Sequence, residues 1–182
     1  MAMNRSECVL YSGGLKGAES AFGAAAEARG IEEVNFSFEG HKIERRRGVR
    51  DLTQAELKHG DVSLEYISKL MNRHYPETDT FKKVLQTIWH QVNSAQEIYV
   101  VGKIQPDDTV MGGTGWGAEF AKLCNKPLFV FDQERDGWFL WTGKRFELRV
   151  PTITQPHFAG SGTRHLRDNG KKAIEDLFER SF

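Results

Sequence analysis

Twice in this chain a short apolar run breaks into a glycine-rich turn and then into apolar residues at helical spacing, and this restricts the fold more than any other feature. The first run, Cys8-Val9-Leu10-Tyr11, enters Ser12-Gly13-Gly14-Leu15-Lys16-Gly17. Beyond it Ala18, Ala21, Phe22, Ala25 and Ala26 recur with the period of a helix, Gly30 offers a stop, and Val34 to Phe38 alternates as a strand does. Strand, glycine turn, helix, strand is the opening of a parallel α/β unit. The second turn, Gly112-Gly113-Thr114-Gly115-Trp116-Gly117, follows a buried strand predicted over Ile98 to Gly102. It precedes a helix through Ala121, Leu123 and Cys124 and a strand from Leu128 to Asp132. The expected fold class is α/β: a Rossmann-like, mainly parallel sheet flanked by helices, with both turns at the carboxyl ends of strands, where open α/β sheets bind ligands.

The remaining segments fit around that frame. Glu39 to Gly60, with Arg45, Arg46, Arg47 and Arg50, reads as a long polar excursion. A helix is expected through Leu64, Ile67, Leu70 and Met71. A stronger one carries Phe81, Val84, Leu85, Ile88, Trp89 and Val92 on its apolar face, capped by Thr78 or Asp79, with His90 at the surface. Trp138 to Trp141 and Arg145 to Val150 are expected to pair across Thr142-Gly143-Lys144 as a small antiparallel addition. Phe158 to Arg164 reads as a third small-residue turn, leading into a final helix through Leu166, Ala173, Ile174, Leu177 and Phe178. With 182 residues and no visible linker or repeat, the expectation is a single domain over 1–182.

Composition excludes several classes. Twenty-five basic and 25 acidic residues give a formal net charge of zero, which argues against a chain whose main task is coating nucleic acid. No apolar run approaches a membrane span, and the start has no secretory core. Cys8 and Cys124 stand apart in apolar segments and read as reduced core thiols of a cytoplasmic protein. No histidine or cysteine spacing points to a metal site, and no cofactor is expected.

Glycine admits positive φ and lets main chain approach a ligand without a Cβ in the way. The helix that follows each turn offers unpaired N–H groups and a positive dipole end, suited to phosphate. Ser12, Gly13, Gly14, Lys16 and Gly17 in the first turn, and Gly112, Gly113, Thr114 and Gly115 in the second, are therefore candidate ligand contacts. Neither turn matches the P-loop or the complete dinucleotide fingerprint. Trp116 stands inside a glycine turn with little core to join locally and is a candidate to stack on a base or other planar group. Thr163 is a candidate helix cap and Arg164 a candidate phosphate contact. Glu39, 25 residues after Gly14, lies where open α/β folds place an acid against a ribose hydroxyl. Glu119 and Asp132 are the candidate catalytic carboxylates, and Arg47 a weaker phosphate contact.

At these residues a resemblance appears. Ser12-Gly13-Gly14-Leu15-Lys16-Gly17-Ala18-Glu19 resembles the Ser-Gly-Gly-x-x-Gly-Ala-Asp turn of the SLOG superfamily, which includes the DNA-processing A proteins. Gly112 to Glu119 resembles the Gly-Gly-x-Gly-Thr-x-x-Glu motif of the lonely guy phosphoribohydrolases in the same superfamily, with Trp116 in place of the threonine. The likeness covers roughly Cys8 to Phe38 and Ile98 to Asp132. It implies a Rossmann-like nucleotide-binding domain, usually in a homodimer, so that a homo-oligomer is the expected state. It further implies hydrolysis of the N-glycosidic bond of a nucleoside 5′-monophosphate, with Gly112, Gly113 and Gly115 around phosphate and Glu119 on the ribose. The rival readings are a non-enzymatic nucleotide sensor or carrier, favoured by Trp116, and a DNA-binding recombination mediator, drawn from the first motif and weakened by the zero net charge.

Overall fold

Tyr99 and Val101 point to one side of a strand and Ile98 and Val100 to the other, and all four are buried, so this strand must have helices on both faces. The structure is a computed structural model that describes residues 3–77 and 79–182. Its eight strands form one sheet: β1 (Val9–Ser12), β2 (Glu32–Ser37), β3 (Val49–Asp51), β4 (Glu97–Gly102), β5 (Leu128–Asp132), β6 (Gly137–Trp141), β7 (Phe146–Leu148) and β8 (His157–Gly162). Their order across the sheet is β3-β2-β1-β8-β4-β5-β6-β7. The six strands from β3 to β5 in that order pair in parallel, and β6 and β7 add antiparallel at one edge, as expected from the sequence.

Helices α1 (Ala18–Ala28) and α6 (Asp168–Ser181) cover one face, where Phe22, Phe158, Ile174, Leu177 and Phe178 pack on Leu10, Tyr99 and Val101. The other face is covered by α3 (Asp61–Met71), α4 (Thr80–Ser94) and α5 (Thr114–Leu123), through Leu64, Ile67, Leu85, Ile88 and Trp116 on Ile98, Val100 and Val130. A short α2 (Gln54–Leu57) precedes α3, closed by a capping box between Thr53 and Glu56. Among the described residues no helix is long and apolar enough to cross a membrane.

Several local expectations change. Phe158 to Gly162 is not a turn but the central strand β8, inserted between β1 and β4, and its register pairs Leu10 with Phe158 and Val100 with Ser161. Consequently Thr163 caps no helix: α6 starts at Asp168 after Arg167, and Thr163 Oγ1 accepts only from the His165 amide nearby. The polar excursion holds the edge strand β3. Leu70 faces solvent on α3, and Cys124 is exposed, whereas Cys8 is buried. His90 is partly buried against the Glu56 carbonyl. Asp79 does cap α4, accepting from the Lys82 amide at 2.9 Å; the alternative, Thr78, lies outside the described residues.

Candidate ligand-binding cavity

Because β1, β8 and β4 run parallel side by side, the segments that leave their carboxyl ends meet at one edge. They enclose a cavity of about 700 Å3. The turn after β1 contributes Leu15 and Lys16; the approach to α5 contributes Met111, Gly112, Gly113 and Thr114; the chain at the end of β8 contributes Ser161 to Arg164. Gly40 to Lys42 and the α4 side chains Phe81, Val84 and Ile88 close the remaining walls. The two glycine turns therefore share one cavity.

The second turn is built to present its main chain. Gly112 adopts φ +71, and the amides of Gly112, Gly113 and Thr114 have no hydrogen-bond partner among the described residues. Arg73 holds the turn from behind: its guanidinium donates to the carbonyls of Gly112 (3.0 Å) and Val110 (2.9 Å) and to Gln105 Oε1 (2.8 Å). Gly115 and Trp116 belong to the helix itself, their amides bonded to the Gly112 and Gly113 carbonyls at 3.1 Å. A Cβ on Gly115 would overlap the Val110 carbonyl, so this glycine serves close packing and does not cradle a ligand.

The first turn is organised differently. Gly17 sits at φ +97 against the backbone of Thr163 and Arg164, and the Ala18 amide donates to the Thr163 carbonyl at 2.9 Å. Ser12 Oγ donates to the Gly160 carbonyl at 2.6 Å, tying β1 to β8. The Gly14 carbonyl accepts from the Glu44 and Arg45 amides. The Leu15 amide is taken by Glu19 Oε2 at 2.9 Å, so a carboxyl group of the protein occupies the place where this turn was expected to receive an anion. Ser12, Gly13, Gly14 and Gly17 shape the turn, while Leu15 and Lys16 reach the cavity.

Glu19 is the site residue that sequence reasoning passed over, although it closes the first glycine motif. It is 3% exposed and lines the cavity. Burial pushes its pKa up to about 7; the Leu15 amide, Gln91 and Ser161 pull it down only in part. The Gln91 amide, buried behind it, makes no hydrogen bond of regular geometry among the described residues. An acid at the second position of a helix ordinarily marks a favourable dipole contact at the surface. Its burial comes from Gln91 on α4 and Ser161 on β8, which no local pattern reveals.

Glu19 is the sole carboxylate among the described residues lining the cavity, against Lys16, Lys42, Lys103 and Arg164, with Lys103 also 3.1 Å from Glu134. His41, stacked on Phe38 and 3.0 Å from Ser37 Oγ, lines the wall with its pKa lowered by burial. Phe81, 44% exposed, and Met111, 56% exposed, form an apolar patch beside Gly113. A chain of zero net charge thus concentrates cations around one concave, partly apolar site.

Other expected residues lie elsewhere. Trp116 is 2% exposed and packs on Tyr75 with ring centroids 5.7 Å apart, so it is core and cannot stack on a ligand. Glu119 is five positions beyond Thr114, about 140° around the helix, and pairs with Lys122 at 3.3 Å away from the cavity. Lys122 in turn sits 4.0 Å over the Trp141 ring. Asp132 is buried and accepts from the amides of Ile104, Glu134 and Arg135, closing the end of β5. Glu39 is exposed and outside the lining, beside Gly40, which belongs to it. Arg45 and Arg47 do not close over the cavity: both grip the buried Glu33 carboxylate on β2, Arg45 Nε at 2.7 Å and Arg47 at 3.0 Å.

In comparisons with family models, with curated proteins and with solved structures, nothing matches this chain. Fold and site define a class all the same: a Rossmann-like α/β protein with a cationic, partly apolar cavity at the carboxyl edge of its parallel strands and one buried acid in its wall.

Proposed function

We propose that this cavity binds a nucleotide or a nucleotide-derived phosphorylated small molecule. The observation that carries the reading is the convergence of both glycine turns on a single cavity lined by four basic side chains and one acid. Phosphate goes to the amides of Gly112, Gly113 and Thr114 at the start of α5, with Lys16 and Arg164 supplying charge. The Phe81–Met111 patch supplies the surface for a base, a role the sequence had given to Trp116. A volume near 700 Å3 suits a mononucleotide-sized guest. The resemblance of both turns to motifs of the SLOG superfamily supports the same reading.

Binding without turnover is the primary reading, because neither Glu119 nor Asp132 faces the cavity. Hydrolysis of an N-glycosidic bond here would have to use Glu19, the one carboxyl among the described residues that line the cavity. Titration calorimetry with nucleoside 5′-monophosphates, followed by chromatography for released base, separates the two forms. Gly113→Asp tests the site directly. Gly113 has ordinary helical angles, φ −59 and ψ −33, so a side chain is tolerated by the backbone. The new carboxylate is expected to abolish nucleotide binding while the thermal melt stays within a few degrees. Unchanged affinity in this variant would refute the placement of phosphate.

A further inference from the structure

Four basic side chains line this cavity, yet its wall contains a carboxyl group that is 3% exposed and held in place. Glu19 Oε2 is engaged by the Leu15 amide, and Gln91 and Ser161 are the other polar side chains against this carboxyl group, the Gln91 amide making no hydrogen bond of regular geometry among the described residues. Gly13 exists for this arrangement: a Cβ there would lie 2.7 Å from Gln91 Nε2 and 2.9 Å from Glu19 Oε2, so the acid and the amide are packed against bare main chain. Buried polar atoms left short of partners are costly and are normally satisfied by protein, water or ligand. Phosphate is not the partner that completes this cluster, since it would add negative charge beside Glu19. A hydroxyl group is, because it donates to the carboxylate and accepts from the protonated acid, and Glu19 carries both forms near neutrality.

We propose that Glu19 recognises the sugar hydroxyls of the bound ligand and so separates a pentose phosphate from a bare phosphate ion. The inference rests on the reading of the cavity as a nucleotide site. It divides the cavity by chemistry: phosphate at the amides of Gly112 to Thr114, base against Phe81 and Met111, sugar on Glu19 with Gln91 and Ser161 behind it. A site built to hydrogen-bond a hydroxyl rejects an analogue that lacks it far more strongly than an apolar pocket rejects a missing methylene.

The experiment is a calorimetric titration of the full chain with inorganic phosphate, propyl phosphate, ribose 5-phosphate and adenosine 5′-monophosphate. The wild-type protein is expected to hold ribose 5-phosphate about tenfold more tightly than propyl phosphate, which has the charge without the hydroxyls. In Glu19→Gln that preference should shrink to about twofold while inorganic phosphate binds as before, which also shows that the variant is folded and its anion site intact. A wild-type protein that does not distinguish the two organic phosphates overturns the role of Glu19, without recourse to any variant. So does a Glu19→Gln variant that retains the full preference or weakens all four ligands equally. If the wild-type protein binds phosphate and nucleotide with no preference for hydroxyls, the nucleotide reading stands and only this inference falls; if it binds none of the four, both fall.

Discussion

Glu19 makes stability depend on pH in a way that can be read in isolation. Its folded pKa is raised from the usual 4.5 to about 7, so the folded chain keeps a proton that the unfolded chain has released. Its contribution is therefore fully present below about pH 4.5 and is lost as pH rises to about 7, a change of about 3 kcal/mol. Glu19→Gln should be more stable relative to wild type at about pH 8 than at about pH 5, by roughly 2–3 kcal/mol in urea titrations. The lowered pKa values of His41 and His90 act in the opposite sense but cancel in this difference. Equal differences at both pH values would mean that the carboxyl is not sequestered as described. The reassigned residues give complementary outcomes. Trp116→Ala should cost about 3–5 kcal/mol in thermal or urea unfolding, as for any large buried aromatic. Glu119→Gln should leave nucleotide affinity unchanged.

At the scale of elements, two arginine clamps set loops whose sequence carries no regular pattern. Arg73, just past the end of α3, links Gln105, Val110 and Gly112 and so fixes which way the second turn presents its amides. Arg73→Ala should accelerate amide hydrogen exchange at Gly115 and Trp116, whose amides bond to the Gly112 and Gly113 carbonyls, and weaken phosphate binding about tenfold. Unchanged exchange there would assign the orientation of the turn to α5 alone. The second clamp joins β2 to the loop after it. Glu33, buried, takes Arg45, Arg47 and the Asn35 amide, and its pKa is lowered by these hydrogen bonds and charges despite burial. Removing one partner strands the rest, so Glu33→Ala should destabilise by about 3–5 kcal/mol, whereas Arg50→Ala, at an exposed pair with Glu56, should cost no more than about 1 kcal/mol. Comparing the two unfolding curves checks both. Glu97 plays a similar fastening role, accepting from the Thr154 and Gln155 amides on the approach to β8.

For the whole molecule, uneven charge is the property tied most directly to the site. A cavity lined by Lys16, Lys42, Lys103 and Arg164 in a neutral chain should bind inorganic phosphate with an affinity that falls as salt is added. The double variant Lys16→Ala with Arg164→Ala should bind about tenfold or more weakly and show a flatter salt dependence in the same titration.

What the residues determined alone is what depends on neighbours in the chain. Apolar runs at Leu10, Ile98 to Val101 and Leu128 to Phe131, the glycine turn behind the first of them, and helical spacing at Phe22 or Leu85 are local signals, and each became the element expected; of the second glycine turn only Gly112 and Gly113 stay outside α5, which begins at Thr114. The antiparallel pair β6 and β7 was legible from the turn between its strands for the same reason. What only the tertiary structure decided is what depends on residues far apart. Gly160 and Ser161 look like a turn until β1 and β4 flank them with unpaired strand edges and Gly160 admits Phe22, making a strand of small residues favourable. The motif at Gly112 to Glu119 announces a helix start beside a ligand but not the direction of each side chain around that helix. Helical rotation took Glu119 and Trp116 away, while burial between α4 and β8 turned the overlooked Glu19 into the acid of the cavity.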